Sequence, residues 1–553
     1  MATFLLLTAI LTANLTVGAV KVEGVKALSK REIKNLLNIN EGDKYFSPLY
    51  NSNKLKLLDE LAQRGYFDAQ IVEEKIEERE NKVFLYLKIS EGQRYRINSI
   101  QISWINSDTT FYQHVANFLN LPLPRYYSYS ELAECESKAS EFLRNLGYLN
   151  AEIQRTIVSN QYDKTCEVKY TVRKGTRYKI SRILIDGNST VRRTIIEREL
   201  KVKPGQYVSP AAVLESIRRI YITGLFSTVY HTYEFHNDSL VSITFHVKER
   251  RSRYIKFQGG LYPFSLINLN AEGGNRNLLD NNQSITLRIE SSIKPFNSLE
   301  RIYGEALYTE PYFLSTPLKI NVRLFAGSSK IDSTSHIGAE SFLSYYWTER
   351  ERSIIGLEWR KLLGQRLTDG IINKAIFNTV IDKRNNLLFP TKGYYLWFDL
   401  SKAGGILGGN YNFFEYQIIG SLYKQVWKPG GIIAFRVSRG HIVPFKDSKI
   451  PTIEKFKIGG DGTLRGYDYS RFYSSDYVLL NAELRAMLSS KIGINLLVDV
   501  FPESGSKVWY SAGIGFRYFL PIGSLRVDWM LNPYEIGDKG YYGNLYINLG
   551  EMF

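Results

Sequence analysis

Cysteine is nearly absent from this 553-residue chain, which holds only Cys135 and Cys166. Neither belongs to a CxxC pair, and the six histidines show no zinc spacing, so the sequence offers no metal or thiol-redox motif. Both cysteines fall in one segment, where a disulfide and two buried free thiols are equally open. Long hydrophobic runs are missing too. No stretch supplies the roughly 18 uncharged apolar residues of a spanning helix, so any membrane crossing here is made by strands. Dense basic runs are also absent, although 71 Lys and Arg against 55 Asp and Glu give a net charge of +16. That dispersal argues against nucleic acid and fits lipid headgroups or lipopolysaccharide phosphates better. No phosphate-binding Gly-Lys-Ser/Thr ending and no nucleophile elbow occurs, which leaves hydrolase and nucleotide chemistry without a motif.

What the chain has in quantity is aromatic side chains, with 39 Tyr, 29 Phe and 7 Trp. With a mean hydropathy of -0.22, that composition suits a β-rich chain, including a membrane barrel with aromatic girdles. Residues 1 to 19 open with the apolar run Phe4 to Leu11 and reach Val17-Gly18-Ala19, a small-residue cleavage pattern, so they are expected to be an export signal. The run carries no Lys or Arg before it, a departure from the usual signal.

From 20 to 250 one unit repeats three times, over 20–93, 94–176 and 177–250. A helix-ending phrase marks each copy: Gly65-Tyr66-Phe67, Gly147-Tyr148-Leu149 and Gly224-Leu225-Phe226. Each follows an amphipathic stripe: Leu55, Leu58, Leu61 and Ala62, then Ala139, Phe142, Leu143 and Leu146, then Val213, Ile217, Ile220 and Tyr221. Alternating runs such as Val83 to Ile89 and Val241 to Val247 come next, giving an α+β repeat of order β-α-α-β-β. Each unit leaves a sheet edge that can bind extended peptide by strand addition. Three such modules are more than a spacer requires.

From 251 to 553 the helical pattern stops and alternating segments follow one another between Gly, Asn, Asp and Pro. This length suits a sixteen-stranded antiparallel transmembrane β-barrel, while a soluble β-sandwich or propeller would share the period. Leu525, Val527 and Trp529 alternate with Arg526 and Asp528 in the lipid-out, lumen-in sense. In the run from Tyr477 to Ala486, Asn481, Glu483 and Arg485 share the polar face; beyond it Asn495 and Asp499 face inward. The glycine-rich stretch Gly459 to Tyr467 precedes these runs, and Arg465 on it can reach Glu483 and Asp499 with a multi-donor guanidinium. A loop so held is tethered inside the barrel. The two carboxylates could also be read as an acid and base pair, but an adjacent arginine makes a salt-bridge site the simpler reading.

In the last run Leu545, Ile547, Leu549 and Phe553 share the apolar face, and Glu551 falls on it as well. Gly550 weakens local pairing, and the run near Tyr254 to Leu261 contains Gly259-Gly260. The seam between first and last strands is therefore the easiest place for the barrel to open, with Phe257, Gly259, Ile547, Gly550 and Phe553 as its gate residues.

These residues together resemble the BamA/TamA superfamily of outer-membrane assembly and translocation factors, in which periplasmic POTRA modules precede a sixteen-stranded barrel. Leu464-Arg465-Gly466-Tyr467 is similar to the family's Val-Arg-Gly-Phe/Tyr loop motif, and Asp382 to Asn386 with Phe389 to Gly393 adds to the likeness. Phe501 stands where the family usually has glycine. The resemblance implies a loop lock of Arg465, Gly466 and Tyr467 against Glu483 and Asp499, and a lateral gate where client strands are templated and released into lipid. It implies a non-enzymatic insertase in the outer membrane of a Gram-negative bacterium, with POTRA modules in the periplasm and neither cofactor nor metal. Unfolded outer-membrane proteins or autotransporters are the implied clients. Outer-membrane lipid or lipopolysaccharide is a further expected partner, and accessory lipoproteins or an inner-membrane partner are left open by the sequence. The alternative is a secretion or passive pore that moves polypeptide through the lumen.

Overall fold

A computed structural model of the chain describes residues 15–105, 111–236, 239–262, 266–294, 299–330, 334–363, 369–427, 430–503, 507–521, 523–534 and 543–553. Of the expected export signal, residues 1–14 lie outside those described, and Val17-Gly18-Ala19 lie inside the strand Thr16–Glu23. Val17 is buried there against Tyr45, Tyr50, Val83 and Leu85, so the first repeat begins four residues before the expected boundary at 20.

The first repeat runs in the expected order: strand Thr16–Glu23, helices Lys30–Leu37 and Ser47–Gln63, then strands Gln70–Arg79 and Lys82–Ser90. Lys82–Ser90 is central, parallel to Thr16–Glu23 and antiparallel to Gln70–Arg79. Its Val83, Leu85, Leu87 and Ile89 point at the helices and are buried, as period-two alternation requires. A capping box starts the first helix: the Ser29 hydroxyl accepts from the Glu32 amide, and the Glu32 carboxylate accepts from the Ser29 amide.

The second helix departs from its expected stripe, because Tyr50, Asn53, Leu57 and Leu61 are buried while Leu55 is exposed. Leucines at 55, 57, 58 and 61 offer two overlapping faces. The Asn53 amide chooses between them by donating to the Leu37 carbonyl at 2.8 Å. In the third repeat, Tyr221 is likewise exposed, and Ser216 takes the inward position, its hydroxyl donating to the Ala212 carbonyl at 2.7 Å.

The second repeat adds a short strand, Arg125–Tyr126, beside Arg96–Ile105, followed across the sheet by Thr165–Arg173 and Glu152–Asn160. Cys166 is buried in its core and Cys135, partly buried, packs against that core; both are free thiols, and burial pushes the Cys166 thiol up to about 11. Successive repeats join in the same way. The Tyr95 amide donates to the Gly65 carbonyl at 2.8 Å, and the Tyr178 amide to the Gly147 carbonyl at 2.9 Å. Both glycines have φ near +100°, at +96° and +103°, and a Cβ on either would come within 3.1–3.2 Å of the next repeat's Tyr127 or Tyr207. The glycine that ends the second helix of the first and of the second repeat thus also seats the next repeat.

Chain packing separates a unit built mainly from the repeats from one that contains 249–553. The second holds one antiparallel sheet of sixteen strands, ordered by sequence from Arg253–Tyr262 to Asn544–Leu549. Among the described residues no ladder joins the first of these strands to the last. Side chains alternate as expected: Leu525 and Trp529 are exposed apolar, while Arg526 and Asp528 between them are buried. Such a wall presents hydrocarbon to lipid and keeps its charges on the other face.

Candidate functional site

The connection between strands Gly431–Pro444 and Asp476–Met487 is the longest feature inside the sheet. These strands pair with each other from Gly431–Ala486 onward, yet residues 445–475 between them fold back against the wall. A two-stranded ribbon, Phe456–Ile458 against Phe472–Ser474, gives the loop its own frame. Phe456, Ile458, Leu464 and Tyr467 are buried with Tyr477, Leu479 and Phe501 of the wall. Phe472 closes the contact, its ring centroid 5.3 Å from Phe501 and 5.0 Å from Trp509. Phe501, bulkier than the usual glycine of the resembled motif, is thus a packing partner of the loop and leaves the acid two residues before it in place. Gly466 has φ +87°, and a Cβ there would sit 3.0 Å from the Ser511 Cβ, so only glycine lets the loop lie this close.

Packing delivers Arg465 to the acids. Its Nε and Nη2 donate to the two Asp499 carboxylate oxygens at 2.8 and 2.7 Å, a bidentate fork, and its own amide also donates to Asp499 at 2.9 Å. Nη1 donates to Glu483 Oε1 at 2.6 Å and lies 3.5 Å from Asp528 Oδ2. All four side chains are removed from solvent. Burying these charges is affordable only because each has opposite charge and hydrogen bonds around it. Asn481 completes the site by donating from its amide to both the Thr463 carbonyl and Asp499 Oδ1 at 2.8 Å. The expected trio Arg465, Glu483 and Asp499 is therefore brought together, and both carboxylates are engaged by the guanidinium. That supports a salt-bridge site over an acid and base pair.

The site extends further than sequence reasoning carried it. Arg485 donates to Glu483 at 2.9 Å and to the Phe553 main-chain oxygen at 3.3 Å, and Arg517 pairs with Asp528 and with Glu551. Arg526 reaches Asp461 of the loop at 3.1 Å. Two positions correct the reading of the last run, because Glu551 and Phe553 turn inward. The last strand ends at Leu549, and Gly550, with φ +98°, breaks the alternation on which that reading rested. Ser524 then donates to Glu551 at 2.7 Å, and the Phe553 ring lies 5.6 Å from the Arg485 guanidinium.

Sequence reasoning missed two features. One is Glu454, buried on a 3-10 turn of the loop, which accepts from Arg360 at 3.0 Å and pairs with Lys374. The loop is thus held by an acid against one part of the wall and by an arginine against another. The second is a belt of alternating sign over six successive strands, Lys256, Glu272, Arg288, Glu305, Arg323 and Glu340, joined by ion pairs from one strand to the next. An inward charge on each successive strand that faces one of opposite sign on the next was the available signal.

The remaining gate residues lie on edges. Phe257 is 80% exposed and Ile547 52%, and Gly259 is exposed in the first strand. The Gly550 amide donates to the Ser524 carbonyl at 2.7 Å. Among the described residues neither Phe257 nor Gly259 is paired with Ile547 or Gly550.

Comparison with known proteins agrees with this arrangement. Residues 277–553 match the Omp85 superfamily domain, and 15–92, 95–175 and 178–250 match the surface antigen variable number repeat, POTRA. The chain is 22% identical to the outer membrane protein assembly factor BamA of Nitratidesulfovibrio vulgaris, over 98% of this chain and 74% of that one. It is also 22% identical to BamA of Neisseria meningitidis, over 81% of this chain and 61% of that one, so it is shorter in span than either relative. Among solved structures, BamA from Haemophilus ducreyi lacking POTRA domains 1–3 superposes with a TM-score of 0.58 at 20% identity, covering 82% of this chain and 98% of that one.

Proposed function

Because this chain belongs to the Omp85 superfamily, we propose that it is an insertase for outer-membrane proteins, taking unfolded clients at POTRA edges and releasing them into lipid through the seam between its first and last strands. It is an outer-membrane protein of the Gram-negative type with its POTRA repeats in the periplasm, and outer-membrane protein assembly is its role. The observation that carries the finer mechanism is the last strand. At six residues it is the shortest of the sixteen, and its one ladder among the described residues is to Gly523–Leu531. An edge of this kind offers unpaired backbone groups to an incoming strand. In hydrocarbon each unsatisfied group costs several kcal/mol, so pairing with the edge and then with the client's own strands supplies the driving force. The catalyst lowers the barrier while client folding provides the free energy.

Liposomes containing the full chain should fold a urea-denatured small outer-membrane barrel at least about tenfold faster than empty liposomes, a barrier reduction of about 1.4 kcal/mol. Equal rates would contradict the proposal. A translocation pore is the second reading, favoured by the partly exposed charges of the belt, such as Lys256 and Arg288. A pore should give a large, steady single-channel current, whereas a loop-filled insertase should give small, flickering events.

A further inference from the structure

The last strand faces the inside of the sheet with Asn544, Tyr546 and Asn548, and two of these three are bonded to the inturned loop. The Gly466 amide donates to the Tyr546 hydroxyl at 3.0 Å, and that hydroxyl donates to the Tyr467 carbonyl at 3.2 Å. The Asn548 amide donates to Asp461 Oδ2 at 2.7 Å. The hydroxyl of Tyr546 therefore sits inside the Arg-Gly-Tyr turn, one residue from the guanidinium that clasps Glu483 and Asp499. Tyr546 itself is 5% exposed, so water does not compete for its two bonds, while the Asn548 bond is half-buried.

From this geometry we infer that Tyr546 and Asn548 are positioning residues that hold the last strand from within, so that release of the loop and opening of the seam are one coupled event. The coupling follows from numbers of bonds. An interior strand of the sheet is held by ladders on both sides, such as the eleven- and eight-pair ladders that flank Asp476–Met487. The last strand has six register pairs on one side. For it, three further hydrogen bonds from the loop are a large share of the total, each worth a modest net amount in water and more in a buried site. Arg465 does not touch the last strand, yet it fixes the turn that does. A disturbance at either end must then be felt at the other, since coupling between two elements is reciprocal.

The inference rests on the insertase reading only for its biological use. Its test is client-free. Amide hydrogen exchange is measured on the full chain in lipid nanodiscs for Tyr546→Phe with Asn548→Ala, and separately for Arg465→Lys. The strand variant should accelerate exchange of the loop amides at 459–467, and the loop variant that of Asn544–Leu549, each by roughly tenfold, while Leu318–Ser329 keeps its wild-type rate. Acceleration confined to the mutated element, acceleration everywhere or no acceleration would each overturn the coupling. Tyr546→Phe alone, which keeps the ring and its packing, should show the same pattern more weakly. Client insertion is then scored on the same variants. Coupled exchange with unchanged insertion keeps this inference and counts against the insertase reading, whereas uncoupled exchange overturns it whatever insertion does.

Discussion

Arg465 is the tie between the loop and the wall, because its main-chain amide and three side-chain nitrogens meet two carboxylates that have no solvent to fall back on. Removing it leaves Asp499 as uncompensated buried charge, while Glu483 keeps only its pair with Arg485. Arg465→Ala should therefore cost about 3–5 kcal/mol, seen as a lower temperature for loss of the compact band on semi-native gels, with the barrel still folded at room temperature. Arg465→Lys should recover part of that, since an ammonium cannot reproduce the fork on Asp499. Unchanged heat resistance in the alanine variant would remove the role assigned to the loop. This much was legible from sequence, because period-two alternation fixes the inward side of Glu483 and Asp499 and the arginine precedes them closely. Glu551 and Phe553 were not legible in the same way. Their side depends on where the strand ends, and a single left-handed glycine at 550 reverses it.

At the scale of elements, the loop 445–475 acts as a strap with anchors of opposite sign. Glu454 meets Arg360 and Lys374, which precede it by 94 and 80 residues in the chain, so no local pattern announces the pairing. Glu454→Gln should lower heat resistance by leaving Lys374 buried among fewer anions. Lys374→Met in the same chain should cost less than it does alone, because Glu454 no longer loses its ammonium partner. Strict additivity of the two losses in a thermal-melt cycle would show that the anchors do not act as a pair. The helices of the repeats teach a similar lesson. Their number, order and terminal glycines follow from sequence, while the buried stripe of Ser47–Gln63 is chosen by one tertiary hydrogen bond from Asn53.

For the whole molecule, sixteen strands and three repeats were countable in advance, since both depend on local periodicity and turn residues. What periodicity does not reveal is the inside of the sheet, where charges from strands far apart in the chain settle against one loop. On the proposed mechanism the sheet does its work at the seam between its first and last strands. The direct measurement joins Phe257→Cys and Ile547→Cys with a reducible thiol crosslinker, in a chain whose Cys135 and Cys166 are alanine, and follows client insertion in liposomes before and after reduction. Insertion is expected to stay at the level of empty liposomes while the link is intact and to recover once it is cut. Full insertion with the seam linked would contradict it.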